Sequence, residues 1–341
     1  MLAVLAATTT PENLSTFSPA SPSAESIKGL FILVLAIMGG ILLLVEGILV
    51  YALVRSRRRA SREDLEPPQV YGSKPIEIAW TVAPLVVVFV LVLLVGRVLW
   101  EVRPDPDQPP AGAKPLYVTV VGHQWWWEYR YDSYDGRELN ISTANELHIP
   151  VSAPGQPERP VYLNLQSADV CHSFWVPRLG GKTDLIPGRS NQMWLQANEP
   201  GLFLGQCAEY CGTQHANMLI RVVVESPEDF DKYLAAEAKP AIDPTDKNAL
   251  ADKNAFRSLS CVNCHTIRDK QDTRVNGTFG PDLTHLMARK TIAAGMIDNT
   301  PENLRKWVFS PEAIKPGCLM AGFQLDEKEM NSVIGYLKSL K

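Results

Sequence analysis

Two long apolar runs near the N-terminus constrain this chain more than any other feature. Leu30–Val54 is 25 residues long and contains one charged residue, Glu46, while Ile78–Trp100 is 23 residues long and contains only Arg97. About 20 such residues cross the ~30 Å hydrocarbon core of a bilayer, and the core helices of globular proteins are usually shorter. We therefore expect a hairpin of two transmembrane helices, residues 30–54 and 78–100, within residues 26–102.

The loop between the two runs, residues 55–77, is basic. It carries Arg55, Arg57, Arg58, Arg59, Arg62 and Lys74. The positive-inside rule keeps a short basic loop in the cytoplasm, so both termini and everything after about residue 102 are expected on the outer side. Residues 1–25 lack the basic flank of a secretory signal, and we expect them to form an exposed lead-in.

The exported part changes character along its length. Residues 103–225 contain short β-rich runs separated by Pro, Gly and Asn turns, which favour an all-β sandwich. Residues 226–246 indicate a short helix followed by a Pro/Asp linker. From residue 247 to 341 the pattern becomes helical, with helix start signals at TPENLRKWV and DEKEMNSV.

A haem attachment motif opens the helical region. Cys261-Val-Asn-Cys264-His265 is the C-x-x-C-H pattern in which two thioethers anchor haem c and the histidine binds the iron. A zinc site or a disulfide is the alternative. A methionine opposite the histidine would raise the reduction potential. Met320 is favoured for that position because it lies in a predicted loop, IKPGCLMAGF, which could wrap over a haem face.

Three other methionines are alternative candidates for this position. Met287 and Met330 fall in predicted helices, where methionine usually packs in the core, and Met296 is the third.

The stretch GQCAEYCGTQHANM concentrates soft donors. It contains Cys207, Cys211, His215 and Met218, and His172 lies upstream in SADVCHSFW. Two cysteines and two histidines could hold zinc, and a blue-copper site would use one cysteine, two histidines and an axial methionine. A pair of copper ions bridged by both thiolates would use every donor. The residues alone leave these alternatives open.

Several motifs resemble subunit II of the haem-copper cytochrome c oxidases. They are GHQWWWEY, DVCHSFWVP, GGKTDLIPGR and GQCAEYCGTQHANM, within residues 25–225. Residues 247–341, with GPDLTHL and the haem motif, resemble a class I cytochrome c, as in the caa-type variant. The resemblance implies a multi-domain membrane protein with a two-helix hairpin, an all-β cupredoxin-like Greek-key sandwich and an all-α cytochrome c domain.

The resemblance also implies roles for individual residues. The ligands of a dinuclear copper A centre would be His172, Cys207, Cys211, His215, Met218 and the carbonyl of Glu209. The Glu209 carboxylate would bind magnesium shared with subunit I. Trp125 would pass electrons towards the copper, and Glu77 would lie at the mouth of a proton path. Cys261 and Cys264 would hold one haem c, with His265 and Met320 as its axial ligands.

The function implied is that of the electron-input subunit of a terminal oxidase in a bacterial inner membrane. Electrons from cytochrome c or a quinol-oxidising complex would pass through haem c and copper A to subunit I, where dioxygen becomes water and protons are pumped. No catalytic residue is expected on this chain, because none of its six histidines lies in a predicted span. Subunit III and lipid are further expected partners, and nucleic acid is not.

The sequence is also compatible with two alternative functions. One is a copper A subunit of a nitric oxide reductase, and the other is a membrane-anchored electron shuttle without a catalytic partner.

Two cysteines and the distribution of charge give two further expectations. Cys171 and Cys318 depart from the family pattern, and we expect either two buried thiols or, less simply, a disulfide between the two redox domains. Residues 247–341 have 14 Lys and Arg against 10 Asp and Glu, and residues 103–245 have 11 against 18. The net charges of +4 and −7 suggest electrostatic docking of the two domains.

Overall fold

The computed structural model of the protein describes residues 14–57, 69, 71–103, 105–269 and 276–341. Among these, two helices are long and apolar enough to cross a membrane, α1 (Pro22–Arg55) and α2 (Lys74–Glu101). Both extend beyond the expected bounds of 30–54 and 78–100, because the helices continue through the polar residues that flank each apolar run. Most of the predicted loop 55–77 lies outside the described residues.

The chain divides into two compact units, with α2 and all but the first three residues of α1 in one, residues 25–103, and the rest in the other. Within the described part of the second unit, ten strands form a sandwich. They are β1 (Leu116–His123), β2 (Trp126–Tyr134), β3 (Arg137–Ala144), β4 (Glu146–Pro150), β5 (Val161–Ser167), β6 (His172–Trp175), β7 (Thr183–Leu185), β8 (Asn191–Leu195), β9 (Gly201–Cys207) and β10 (Leu219–Glu225).

The two sheets of the sandwich have the orders β3-β2-β1-β5-β8 and β4-β10-β9-β6-β7. β1 pairs in parallel with β5, and β4 with β10, whereas the other pairs are antiparallel. Neighbouring strands that are distant in sequence require the crossing connections of a Greek-key sandwich. The expected cupredoxin-like fold is confirmed.

Alternation of side chains builds the core between the sheets. In β2, Trp127, Tyr129 and Tyr131 are fully buried while the residues between them face outwards. β10 follows the same pattern, with Ile220, Val222 and Val224 buried. This period of two is what a strand with one face on the core requires.

The exposed lead-in expected for residues 1–25 is only partly correct. Residues 14–19 are mostly exposed or half-exposed, but Ala20, Ser21 and Ala24 are buried. Ala20 belongs to the sandwich core, its N–H donates to the Arg178 carbonyl at 2.9 Å, and its own carbonyl accepts from Asn198. Small residues allow this close approach, which the Ser/Pro/Ala composition of the segment did not reveal.

The helical region has the predicted all-α character. It contains α4 (Lys247–Ser258), α5 (Pro301–Phe309), α6 (Pro311–Ile314) and α7 (Glu327–Ser339), preceded by α3 (Pro227–Glu237) in the linker. It also contains a short hairpin that was not expected, in which each strand has two residues, β11 (Thr291–Ile292) and β12 (Ile297–Asp298).

Side-chain caps explain where the helices start. Asp246 caps α4, Thr300 caps α5, and Asp326 forms a capping box with Glu329 at the start of α7. Each cap satisfies backbone N–H groups that have no partner within the helix.

Candidate metal centre and haem-binding cavity

The loop rich in soft donors connects two paired strands of the sandwich. β9 ends at Cys207 and β10 begins at Leu219, and the two strands are antiparallel. The N–H of Cys207 donates to the Met218 carbonyl at 3.0 Å, which closes the base of the loop. A short 3-10 turn over His215–Asn217 brings the chain back to Met218. The sheet therefore fixes both ends of the loop.

Five of the predicted copper ligands converge through their side chains. The sulfurs of Cys207 and Cys211 are 3.8 Å apart. His172 Nδ1 lies 3.9 Å from the Cys207 sulfur, and His215 Nδ1 lies 3.6 Å from the Cys211 sulfur. The Met218 sulfur is 3.9 Å from the Cys211 sulfur. The fold thus brings His172, on β6, next to four residues that are distant from it in the sequence.

Glu209 completes the set with its backbone rather than its side chain. Its carbonyl oxygen accepts a hydrogen bond from the Cys207 sulfur at 3.2 Å. The residue itself is exposed. One residue can therefore present a carbonyl to the thiol cluster while its carboxylate stays free for another partner.

The chemistry of the donor set fits two copper ions. Two thiols, two imidazoles, a thioether and a carbonyl exceed the four donors of a tetrahedral zinc site, and soft sulfur with imidazole suits copper. His172 and Met218 are fully buried, and the two cysteines are nearly so. The site thus excludes water from most of the donors.

The two thiols titrate as a pair. The hydrogen bond between the two sulfurs lowers the pKa of Cys207 and raises the pKa of Cys211. The first proton therefore leaves easily, whereas a second thiolate needs a cation beside it. Burial lowers the pKa of His172, but its hydrogen bonds with Asp169 and Cys207 outweigh burial and raise it.

Asp169 supports the site from behind, and sequence reasoning missed it. Its Oδ1 lies 2.9 Å from His172 Nε2, so the imidazole donates there and directs Nδ1 towards the thiols. Its Oδ2 accepts from the N–H of Gln124 at 2.6 Å. Burial raises the pKa of Asp169, but these hydrogen bonds and one from Val170 outweigh it and lower the pKa. Its position three residues before His172 is the only sequence signal.

Trp125 lies directly against the loop. Its indole N–H donates to the Cys211 carbonyl at 3.0 Å, and the Gln124 side-chain amide donates to the same oxygen at 2.8 Å. Trp125 is buried. The next residue, Trp126, stacks on His123 with ring centroids 4.1 Å apart.

The haem motif lines a cavity in the helical domain. Cys261 and Cys264 lie at a 3-10 turn, and both face the cavity together with His265. His265 Nδ1 donates to the Pro281 carbonyl at 2.8 Å, which leaves Nε2 as the ring nitrogen available to iron. Burial lowers the pKa of His265, which favours the neutral ligand form. The residues present therefore fit a covalently held haem c.

The structure separates the four candidate methionines, all of which lie in its described part. Met320 lines the cavity, whereas Met330 is buried in the core and Met287 packs against that core. Met296 is half-buried in the turn between β11 and β12.

The wall of the cavity includes the sandwich. Gln124, Trp125 and Trp126 line it together with the haem motif and Met320. The residue predicted to conduct electrons therefore contacts both the cavity and the thiol loop.

The remaining predicted residues lie elsewhere. Glu77 is exposed in the first turn of α2. Cys171 and Cys318 are both free thiols, and Cys171 is exposed rather than buried as expected. Cys318 lines the cavity.

Three family models match the chain. Residues 9–95 match "Cytochrome C oxidase subunit II, transmembrane domain", residues 116–226 match "Cytochrome C oxidase subunit II, periplasmic domain", and residues 250–341 match "Cytochrome c".

Curated relatives match over nearly the full length. Cytochrome c oxidase subunit 2 of Alkalihalophilus pseudofirmus is 34% identical over 97% of this chain and 92% of its own, and that of Bacillus sp. strain PS3 is 34% identical over 100% and 95%. A crystal structure of the periplasmic domain of subunit II of cytochrome oxidase from Bradyrhizobium japonicum is 30% identical, with a TM-score of 0.32, and covers 36% of this chain and 92% of its own.

Proposed function

We propose, from the premise that the chain belongs to the family of cytochrome c oxidase subunit II, that it carries electrons from its own haem c to a dinuclear copper A centre and on to subunit I. The chain is part of a haem-copper terminal oxidase, in which it has the electron-input role. The nitric oxide reductase and shuttle alternatives are not favoured, because the full-length relatives are named as oxidase subunits.

The convergence of six donors on one loop and one strand carries the proposal. Copper A would be held by His172, Cys207, Cys211, His215, Met218 and the carbonyl of Glu209. Two bridged copper ions, when bound, accept and release one electron shared between them. The loop base between β9 and β10 holds the donors in place, so that little movement accompanies the change of charge.

The haem would be held at the other end of the path. Cys261 and Cys264 would form the thioethers, and His265 and Met320 would be the axial ligands. The hydrogen bond to Pro281 orients His265. Apolar side chains that line the cavity, such as Leu283 and Leu304, would keep water from the haem.

A hydrogen bond from the wall of the haem cavity to the thiol loop supports a path between the two sites. Trp125 lines the haem cavity and donates through its indole to the carbonyl of Cys211, a proposed copper ligand. Electrons would follow this route, with Trp125 as the conducting side chain.

The remaining roles concern the partners. We infer that the Glu209 carboxylate binds magnesium shared with subunit I, since carboxylate oxygen is a preferred ligand of that ion. Glu77 would lie at the mouth of a proton path. The basic loop 55–77 would face the cytoplasm of a bacterium, which puts both termini and both redox domains in the periplasm. Subunit III, a donor cytochrome c or quinol-oxidising complex, and membrane lipid complete the set of partners.

Purification of the oxidase complex tests the proposal. We expect two copper ions and one covalent haem per chain, with oxygen uptake. Cys211→Ser should abolish the copper A signal and oxygen uptake while haem c stays reducible. The matched variant Cys171→Ser, at the exposed thiol, should retain the copper A signal and oxygen uptake. A complex that turns over nitric oxide without oxygen uptake, or a wild-type enzyme whose haem c is reduced while copper A stays oxidised, would contradict it.

A further inference from the structure

A buried lysine joins the helical domain to the sandwich. Lys315 is 2% exposed, and its ammonium donates to the carbonyls of Trp125 at 2.8 Å, Asn217 at 3.0 Å and Ala293 at 3.3 Å. A lysine ammonium has three donors, so these acceptors satisfy all of them. Burial lowers the pKa of Lys315 to about 8. Lysine is almost never fully buried without such partners.

The three carbonyls come from three different segments. Trp125 lies in the turn between β1 and β2, and Asn217 lies between the proposed copper ligands His215 and Met218. Ala293 lies in the turn between β11 and β12 of the helical domain. One ammonium therefore ties the haem-binding domain to the tryptophan and to the donor loop at the same time.

The chain around Lys315 makes a second contact with that loop. The Gln214 side-chain amide donates to the Pro316 carbonyl at 2.5 Å. Gly317 has φ +80°, a left-handed conformation that glycine adopts without a Cβ penalty, and it packs beside Thr213. Met320, the proposed iron ligand, follows Lys315 by five residues. The same short segment thus contacts the copper loop and supplies a haem ligand.

A separate anchor lies on another strand. Glu146 of β4 is 3% exposed, and its carboxylate accepts from the N–H groups of Lys290 at 3.0 Å and Thr291 at 2.8 Å and from the Thr291 hydroxyl at 2.7 Å. Lys315, a buried cation of the helical domain, and Glu146, a buried anion of the sandwich, thus each form hydrogen bonds with backbone groups of the other domain. Two anchors restrict rotation more than either alone.

We propose that Lys315 is a positioning residue for internal electron transfer, because it fixes Trp125 and the copper loop against the haem cavity. The inference rests on the proposed function, in which haem c reduces copper A. Lys315 conducts no electron itself. It holds the wall between the two sites at one geometry, and electron transfer through bonded contacts depends on that geometry.

The test uses the purified oxidase complex with Lys315→Met, which keeps the side-chain length and removes all three donors. Electron equilibration between haem c and copper A is measured after rapid reduction of haem c. We expect a rate lower by on the order of ten-fold, as for other small misplacements of reacting groups, with unchanged haem c and copper A spectra. Lys328→Met, at an exposed position on α7, is the matched control and should keep the wild-type rate.

Hydrogen exchange gives a readout that does not depend on turnover. The amides of Lys290 and Thr291 donate to Glu146 and lie next to Ala293, whose carbonyl accepts from Lys315. Loss of the Lys315 anchor should speed their exchange by about ten-fold, and unchanged exchange would show that the junction holds without Lys315.

Each outcome decides between the two proposals. A Lys315→Met enzyme with intact spectra and the wild-type rate overturns the positioning role. If the Lys315→Met enzyme loses these spectra, the rate is measured in Lys315→Gln, which keeps two donors and should give an intermediate rate. A wild-type rate in Lys315→Gln, or loss of both the haem c and the copper A spectra in that variant, overturns the positioning role. A wild-type enzyme without electron exchange between haem c and copper A contradicts the proposed function instead.

Discussion

The sandwich and the helical domain prepare their redox sites in different ways. In the sandwich, a core of packed strands holds a donor loop and His172 of β6 so that neighbouring donor atoms already lie 3.6–3.9 Å apart. In the helical domain, core residues such as Leu283, Leu304 and Leu337 also line the cavity. Cys207, Cys211 and Met218 also belong to the core of the sandwich, so both sites border a core. The difference is that the donors of the sandwich already contact one another, whereas the haem motif surrounds a cavity that a large group would have to fill.

The largest effect expected from this difference concerns haem attachment. Cys261→Ala together with Cys264→Ala removes the haem that would pack against the cavity-lining residues, so we expect the helical domain to unfold while the sandwich stays folded. Limited proteolysis of the full chain should degrade residues after about 247 and spare the sandwich. Cys171→Ala serves as the control. A helical domain that resists the protease without haem would contradict this difference between the two domains.

The stability of the sandwich should instead depend on its own charges. Burial raises the pKa of Glu128, but hydrogen bonds from His123 and Arg130 outweigh burial and lower it to about 2. A lowered folded-state pKa gives stability that is present above the unfolded pKa of about 4.3 and is lost as the pH falls towards 2. We expect the free energy of unfolding to fall by about 3 kcal/mol over that window.

Denaturation of the sandwich, followed by tryptophan fluorescence at several pH values, measures this loss. Glu128→Gln should be less stable at pH 7 and should lack this part of the pH dependence. An unchanged profile in the variant would show that another group carries it.

Copper affinity can distinguish a residue that orients a ligand from the ligands themselves. Asp169→Asn removes the charge that orients His172 but leaves the donors in place, so we expect a 10–100-fold loss of copper affinity, as is typical for such supporting residues. Chelator competition measures it. Asp231→Asn, at an exposed ion pair with Arg137, is the control, and equal affinities in the two variants would contradict the role of Asp169.

The smallest effect is expected at the junction between the two regions. Glu146→Gln keeps one acceptor oxygen but places an amide against N–H donors, which should cost about 1 kcal/mol of docking free energy. Faster hydrogen exchange at Lys290 and Thr291 would report it. The exposed Glu138→Gln is the matched control, and identical exchange in both would indicate that Glu146 contributes nothing to docking.

Local patterns made much of this molecule predictable. The two spans follow from hydropathy, the sandwich from short β-rich runs separated by turn residues, and the starts of α5 and α7 from capping residues. The donor loop was visible because Cys207, Cys211, His215 and Met218 are close in sequence. His172 was a candidate from sequence, but its place in the set came from resemblance to a family.

Features that depend on tertiary contacts were not predictable. Asp169 and Lys315 look like ordinary charged residues until the fold brings them to His172 and Trp125. The burial of Ala20 had no composition signal. Opposite net charges suggested docking through surface charge, whereas the anchors found are two buried side chains bound mainly to backbone groups, and such contacts cannot be read from a charge count.

The packing of α3 has a consequence for protein engineering. Phe230 and Leu234 belong to the sandwich core, so the copper-binding part ends in structural terms after Glu237 and not at residue 225. A truncated version that stops at the last strand would expose the apolar surface these side chains cover. Gene fusions that exchange the cytochrome for another electron donor should therefore be joined within residues 238–246, downstream of the helix.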